Sequence, residues 1–546
     1  MKKIFFFTGA LLVAITFTKG QTIEEAKKDI YYKRYQSAKQ VLQAIIAKEN
    51  ASPDANYWLG EVYLKQGQVE AANVILTDAV KIYLEQGRSK KDYPLLFIGY
   101  AHMLLDSGLT SQAKTEMEAV LDETKYKDAQ ALLAAARANI DSKNGDLPWA
   151  IELLQKAEKK DKKNPEIFLA YGDAYRKMID GANAIDNYNK ALALDGSFAA
   201  PVYKEGLIYK TQNNTDIYID RFTKAFQIDS AYTPAIYELY YYYYFRDVAK
   251  ADTLLNAFIR HSDFDSSQAY MVTDLQYASR KYAEAIASSR NLIARDGDKV
   301  QARIYKLIAY SYAALKDSAA ALENINTYFE KQSPTAFVAK DYELKANLLE
   351  KLNPDKTQAI TWYRKALAAD SNKKETLNYM VTLADLQKEV GNRQREAVWR
   401  ENIYLKKEHP SNLDIYNWGL ALFGAENYER ADSVFAIYED KYPDQVYGYL
   451  WRARSNALMD TTMEKGLAVP HYVKLAEVAS KDSVKNKSLL LRAYQYLGAY
   501  EATITKNYPA SLGYYDKVLA LNPQDEEAEK NTKILSKWIS DGKGSN

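Results

Sequence analysis

The chain has 546 residues, of which 47% are hydrophobic and 26% charged, a composition typical of folded soluble proteins rather than disordered ones. Its 73 basic and 71 acidic residues leave a formal net charge of +2 without a block of one sign, which gives no indication of nucleic-acid binding. The absence of cysteine excludes disulfides, thiolate metal sites, a cysteine nucleophile and a lipid-modified cysteine.

The N-terminus has the pattern of a secretory signal peptide. Two lysines precede an apolar run over residues 4–17, and the small residues Thr18 and Gly20 stand just before Gln21. An uncleaved membrane anchor is the alternative, but the run is short for a span. We therefore expect residues 1–20 to be removed. The mature chain is expected to be periplasmic or outer-membrane-associated, without a lipid anchor or a transmembrane segment.

A period of 34 residues appears further along the chain. Gly172 and Tyr188 recur 34 residues later as Gly206 and Phe222. A small residue at the eighth position of one helix lets a second helix approach closely, and large residues fill the remaining space. This period and alternation resemble the tetratricopeptide repeat (TPR). A helical bundle with accidental alanines is the alternative.

The resemblance extends over residues 21–525 and implies an all-α fold, a right-handed α-solenoid of roughly fourteen helix-turn-helix units. Residues 526–546 are predicted to form a polar capping helix and a loose tail. Breaks in the period predict longer loops near residues 86–93, 261–267, 390–395 and 460–466. The small residue of each second helix is predicted at Ala38, Ala72, Ala113, Ala150, Ala184, Ala251, Ala285, Ala321, Ala359, Ala397, Ala431 and Ala468.

The sequence contains no recognisable catalytic motif. A Gly-rich phosphate loop, a nucleophile elbow and a metalloprotease motif are all missing. The four histidines lie far apart, and we expect each to be an isolated surface or packing residue rather than a metal ligand. We therefore expect no catalytic residues, no cofactor and no metal, although a glycosidase carboxylate pair would leave no local motif.

Tyrosine is unusually abundant, with 46 copies, and five occur in succession over residues 240–244. Successive helical residues point about 100° apart, so some of these five rings must reach a groove or solvent. In the TPR family, the fifth, ninth and twelfth positions of the first helix line a concave groove. The resemblance implies groove aromatics at Tyr57, Tyr203, Tyr240, Tyr243, Tyr310, Tyr416 and Phe423. Aromatic residues dominate binding hot spots, so we expect this groove to hold a partner. Packing of these rings between neighbouring repeats is the alternative.

The resemblance implies a non-catalytic scaffold that binds a peptide or protein partner, within an envelope complex. A glycan- or peptidoglycan-binding protein is the alternative, because tyrosines stack on sugar faces. Some TPR proteins bind chaperones through a Lys and Asn clamp for terminal carboxylates. Tyr57 and Glu61 stand at those two positions, which argues against a chaperone adaptor.

The signal peptide, the absence of cysteine and the style of the repeats also resemble exported TPR proteins of Bacteroidota-type bacteria. Six segments with the pattern Asp-(Ser/Thr)-(small or aliphatic residue) resemble the acceptor site of the Bacteroidota O-glycosylation system. Their acceptors are Ser230, Thr253, Ser318, Ser433, Thr461 and Ser483. Helix capping and turn formation are the alternative, because both use Asp and Ser.

The signal-peptide prediction is tested by N-terminal sequencing of the protein from its native host. We expect the mature chain to begin at Gln21, because signal peptidase cleaves after small residues. The same chain made by cell-free translation should retain Met1 and serves as the control. An intact Met1 on the native protein would show that the prediction is wrong.

Overall fold

The protein is helical throughout the part that the structure describes, a computed structural model covering residues 22–49 and 52–543. The predicted signal peptide lies outside these residues. Two compact units divide the chain, an N-terminal unit of residues 1–292 and a C-terminal unit of residues 293–546. None of the described helices combines the length and apolar character that a membrane span requires.

Fifteen α-helices and part of a sixteenth belong to the N-terminal unit. They are α1 (Ile23–Tyr31), α2 (Tyr35–Glu49), α3 (Pro53–Lys65), α4 (Val69–Glu85), α5 (Pro94–Asp106), α6 (Thr110–Glu123), α7 (Ala129–Asp141), α8 (Leu147–Lys160), α9 (Pro165–Lys177), α10 (Gly181–Leu194), α11 (Ala199–Thr211), α12 (Thr215–Ile228), α13 (Thr233–Tyr244), α14 (Val248–His261), α15 (Ser266–Ala278) and α16 (Tyr282–Asp296).

The C-terminal unit continues the same order of helices. They are α17 (Arg303–Ala314), α18 (Ser318–Lys331), α19 (Ala339–Leu352), α20 (Thr357–Ala369), α21 (Lys373–Glu389), α22 (Arg393–Lys406), α23 (Asn412–Gly424), α24 (Tyr428–Lys441), α25 (Val446–Met459), α26 (Val469–Ala479), α27 (Lys487–Thr503), α28 (Tyr508–Leu521) and α29 (Glu526–Ser540). Within the described residues, fourteen successive helix pairs thus precede the single helix α29. The predicted all-α repeat architecture is confirmed.

A glycine-to-large-residue contact joins the two helices of several repeats. A Cβ on Gly172 would lie 2.2 Å from Tyr188 Cε1, and a Cβ on Gly206 would lie 2.7 Å from Phe222 Cε1. No side chain can occupy such a space without displacing the ring. The same contact recurs between Gly60 and Leu76, Gly419 and Phe435, and Gly498 and Tyr515. The spacing of the glycine and the large residue predicted from the sequence therefore has a direct steric cause.

The small residues predicted on the second helices are all buried, from Ala38 at 0% exposure to Ala397 at 4%. Their burial lets each second helix pack tightly on its neighbours. Helix starts are fixed by side-chain caps; Asp128, Asn164 and Asp180, for example, accept backbone N–H groups of the first turn.

The connections between helices differ from the predicted loops at two places. Only residues 262–265 connect α14 to α15, no more than the four residues 195–198 between α10 and α11. The break near 390–395 comes from α21, which has 17 residues, whereas only residues 390–392 connect it to α22. The helix itself takes up the additional residues. Short 3-10 helices lie in four other connections, at Lys90–Asp92, Gly297–Lys299, Pro334–Ala336 and Ser480–Asp482.

The N-terminal unit closes on itself. The Asp263 carboxylate accepts hydrogen bonds from the backbone N–H groups of Gln36, at 2.6 Å, and Ser37, at the start of α2. Tyr32 Oη donates to Asp229 Oδ2 at 2.9 Å, and the Thr233 hydroxyl donates to the Tyr32 carbonyl. These contacts span 197 to 227 residues, so the first repeat packs directly against the sixth and seventh.

Replacing Gly172 with leucine tests the steric contact. The new side chain would overlap the Tyr188 ring, and we expect a loss of roughly 1–3 kcal/mol or more in the free energy of unfolding. Chemical denaturation measures it. Gly196→Leu is the matched control, because a Cβ there meets nothing within 4 Å. Equal stability of the two variants would contradict the packing described above.

Replacing Asp263 with alanine tests the closure. The α2 N-terminus would lose its acceptor, and we expect a loss of about 1 kcal/mol, the usual value of a helix N-cap. Asp252→Ala, an exposed aspartate on α14, should change stability little. A double-mutant cycle with Ser37→Ala should show coupling between the two sites. Strict additivity would argue against the contact.

Candidate functional site

The seven predicted groove aromatics divide by burial. Tyr57, Tyr203 and Tyr240 are buried, with 5%, 8% and 2% exposure. Tyr203 packs on Phe222 and Tyr232, each with ring centroids 5.5 Å apart. These three rings are therefore largely covered by neighbouring residues, although Tyr57 also lines a cavity of the N-terminal unit. The other four are only half-buried, namely Tyr243, Tyr310, Tyr416 and Phe423.

The tyrosine run in α13 fans out around the helix, as helical geometry requires. Tyr240 points into the core and its hydroxyl donates to the Met271 carbonyl at 3.4 Å, whereas Tyr241 is 43% exposed. Tyr243 lies 3.9 Å beneath the ammonium of Lys250. The run therefore contributes both to the core and to the surface.

Tyr416 and Phe423 lie beside a stacked cluster in the C-terminal unit. Trp451 of α25 packs against Phe423 at 4.9 Å between centroids, and its indole Nε1 donates to Tyr416 Oη at 3.3 Å. The Arg454 guanidinium lies 4.2 Å above the Trp451 ring and 5.1 Å from Phe423. We refer to Phe423, Trp451, Arg454 and Arg492 as the aromatic–arginine surface.

The aromatic–arginine surface carries uncompensated positive charge. Burial, followed by the neighbouring Arg492, lowers the pKa of Arg454. Neither guanidinium forms an ion pair with any carboxylate of the described chain. Arg492 is exposed on α27, while Arg454 is held in place by its stacking. Because stacking fixes the orientation of Arg454, its guanidinium and that of Arg492 can bind a carboxylate or another planar anion.

A cavity of about 280 Å³ lies next to this surface, and Tyr416 lines it. Leu413 and Tyr447 at its edge are 59% and 47% exposed. Tyr416 and Tyr447 pack edge to face at 5.6 Å. The cavity therefore adds an exposed apolar contact area beside the two arginines.

The closed N-terminal unit contains a second cavity, of about 260 Å³, between α1, α3, α7, α9 and α11. Burial by itself would raise the pKa of Asp141, but Lys65, together with His102 and Lys204, holds that pKa well below its ordinary value. Arg137 likewise lowers the pKa of Glu166. Three ion pairs line the cavity: Lys65 Nζ to Asp141 Oδ2 at 2.7 Å, Arg137 Nη1 to Glu166 Oε2 at 3.0 Å, and Lys204 Nζ to Asp173 Oδ2 at 2.5 Å.

His102 is a buried packing residue, one of the two roles expected for the histidines, and it contacts a carboxylate. It is 2% exposed, and its Nδ1 lies 2.8 Å from Glu61 Oε1 at the cavity wall. Burial alone would lower the pKa of His102, but Glu61, together with Asp141 and Asp106, raises it. Over residues 22–49 and 52–543, no group of three or more His, Asp or Glu side chains is placed to hold a metal ion.

The Asp-(Ser/Thr) motifs occupy turns and helix surfaces. Asp317 caps α18 by accepting from Ala320 N, and Asp229 accepts from Ala231 N, as the capping alternative expects. Modification of the acceptors stays a prediction. Five acceptors are exposed, Ser230, Thr253, Ser433, Thr461 and Ser483, and Ser318 is half-buried.

The sequence did not identify the charged residues of either region as site residues; Glu61 was noted only as a departure from the chaperone clamp. Glu61 and Asp173 follow the contact glycines Gly60 and Gly172 by one residue, which places them at the ninth position of their helices. The repeat register could therefore have predicted that these two carboxylates occupy a groove position. Nothing local marks the pairing of Lys65 with Asp141, since 76 residues separate them.

One segment of the chain matches a known protein family. Residues 30–88 match the tetratricopeptide-repeat family model. No curated protein matches the chain. Proteins built from this repeat are generally non-catalytic scaffolds for protein partners.

Solved structures of TPR proteins are among those similar to the chain. The C-terminal part of a TPR repeat-containing protein from Cytophaga hutchinsonii is 28% identical, over 48% of this chain and 98% of that one, with a TM-score of 0.32. A TPR protein from Parabacteroides merdae is 18% identical over the same shares, with a TM-score of 0.30. Cut9–Hcn1 of the APC/C is 12% identical over 93% and 95%, with a TM-score of 0.25.

The family match covers residues 30–88, whereas the glycine-to-large-residue contact and the helix pairs recur further along the described chain. The chain therefore contains a tetratricopeptide-repeat segment at residues 30–88, and its successive helix pairs are similar to those of tetratricopeptide-repeat proteins.

Proposed function

We propose that the protein is an exported, non-catalytic scaffold of the cell envelope that binds an acidic peptide segment of a partner protein. The export part rests on the sequence of the first twenty residues. The binding part rests on the aromatic–arginine surface, where half-buried aromatic rings adjoin two arginines without carboxylate partners.

The stacking of Arg454 on Trp451, at 4.2 Å, is the observation that carries the proposal. A guanidinium held against an indole loses little further entropy when it binds a carboxylate. Trp, Tyr and Arg are also the residues most enriched in binding hot spots. An extended acidic segment can pair with the arginines while its apolar side chains contact Leu413 and Tyr447.

Charge complementarity favours a peptide over a neutral polysaccharide. A neutral glycan would stack on Trp451 but would leave both guanidiniums without an anionic partner. The arginines would then add hydrogen bonds but little electrostatic attraction, and binding would respond weakly to salt. Salt dependence therefore separates the two classes of partner.

The test uses an acidic peptide selected from a display library against the full chain, with affinity measured by fluorescence anisotropy. We expect Arg454→Gln with Arg492→Gln to weaken binding about tenfold or more, because charged hydrogen bonds are lost. Arg454→Lys should recover only part of the affinity, since lysine keeps the charge but cannot stack as a plane.

Arg430→Gln is the matched control, because this exposed arginine of α24 already pairs with Glu401 at 2.8 Å. Its affinity should match that of the unmodified protein. Retention on cell-wall polysaccharide that depends on Trp451 but not on the arginines would instead support a glycan-binding protein. If the selected peptides bind the arginine variants with unchanged affinity, the assignment of the binding site to this surface is refuted.

A further inference from the structure

The cavity of the N-terminal unit exists because the unit closes. Tyr31 of α1 forms part of the cavity wall and packs on Phe198 at 5.9 Å and Tyr232 at 4.9 Å, residues 167 and 201 positions further along the chain. Its volume of about 260 Å³ lies just below the roughly 300–1,000 Å³ of pockets for drug-sized ligands. The cavity therefore fits a single small ring rather than a protein segment.

The ion pairs in the wall provide donors and acceptors side by side. Lys65 and Asp141, for example, keep 30% and 40% of their side chains exposed while remaining 2.7 Å apart. A hydroxyl group both donates and accepts a hydrogen bond, so it can bridge such a pair. Three pairs around one cavity match a ligand that carries several hydroxyl groups.

One cation in the wall lacks a carboxylate partner. Five cationic and four carboxylate side chains line the cavity. Lys27 pairs with Glu24 at 2.9 Å outside it, and Lys33 forms no ion pair within the described residues. Lys33 keeps an exposed side chain, and desolvation by the surrounding wall, followed by repulsion from Lys204 and opposed by Glu238, lowers its pKa. An anionic group on the ligand would relieve this repulsion.

Aromatic rings cover the remaining part of the wall. Tyr31, Trp58, Phe198 and Tyr232 all line the cavity. The faces of aromatic rings are partially negative and favour the weakly positive C–H groups of a sugar ring. The wall thus complements a ligand that has an apolar face, several hydroxyl groups and one negative charge.

We propose that this cavity binds a small polyhydroxylated anion, the chemistry shared by sugar acids and sugar phosphates. The anionic group contacts Lys33, near Lys204, and the hydroxyl groups bridge the three ion pairs. The site is separate from the aromatic–arginine surface and does not depend on the function proposed for it.

Calorimetric titration of the full chain tests the proposal with four probes. Glucuronate and glucose 6-phosphate represent the two sources of the anion, glucose lacks the charge, and acetate lacks the hydroxyl groups. We expect one of the first two to bind at least about tenfold more tightly than glucose or acetate. Equal affinities, or no binding by any probe at millimolar concentration, would overturn the proposal.

Variants then locate the site. Lys33→Gln should weaken binding of the preferred probe about tenfold, whereas Lys224→Gln, an exposed lysine of α12 outside the cavity, should not. Asp263→Ala should also weaken it, because the closure forms the cavity. The double arginine variant of the C-terminal unit should bind the probe normally. Unchanged binding by a folded Lys33→Gln variant would refute the site.

Discussion

The close approach of a glycine to a large side chain is the constraint on which this fold depends. At Gly172 the Tyr188 ring occupies the space where any other residue would place its Cβ. Because the ring fills that space, the two helices of a repeat share one fixed distance and orientation, and the next repeat meets a surface of constant shape. The buried alanines of the second helices act in the same way from the opposite side. The first helices are thereby aligned, which gathers their side chains on common faces.

The two units use those faces differently. In the N-terminal unit, aromatic groove positions such as Tyr57 and Tyr203 became core, and carboxylates and cations were brought together around a cavity. In the C-terminal unit, Trp451 and Arg454 stay accessible on the surface of α25. Charge follows the same division, since the cavity wall is nearly neutralised by its own ion pairs whereas Arg454 and Arg492 have none. The same type of repeat can therefore form binding faces for very different ligands, because a few residues in each helix determine the chemistry of its face.

The fold was largely predictable from the sequence, and the candidate sites were not. The 34-residue step from Gly172 to Gly206 is a local pattern, and it fixed the helix pairing, the buried alanines and the all-α class. The burial of Tyr240 was not predictable, because the repeat register says which face a ring occupies but not whether another element covers it. The same holds for Asp263, whose contact with α2 crosses 227 residues. A local period carries no information about such a contact. The pairing of His102 with Glu61 was not predictable for a related reason, because Glu61 lies in the preceding repeat.

Closure of the N-terminal unit also sets an order of assembly. Contacts between neighbouring repeats close loops of some tens of residues, while the contact of α2 with Asp263 closes one of 227. Loop-closure entropy makes the longer loop roughly 1.5 kcal/mol more costly than a 34-residue one, and long-range contacts form slowly. During synthesis the first helices emerge well before residue 263 exists, so they must fold as an open stack whose inner aromatic wall faces water. The seam of Tyr31, Phe198 and Tyr232 is therefore completed only when the seventh repeat has been made.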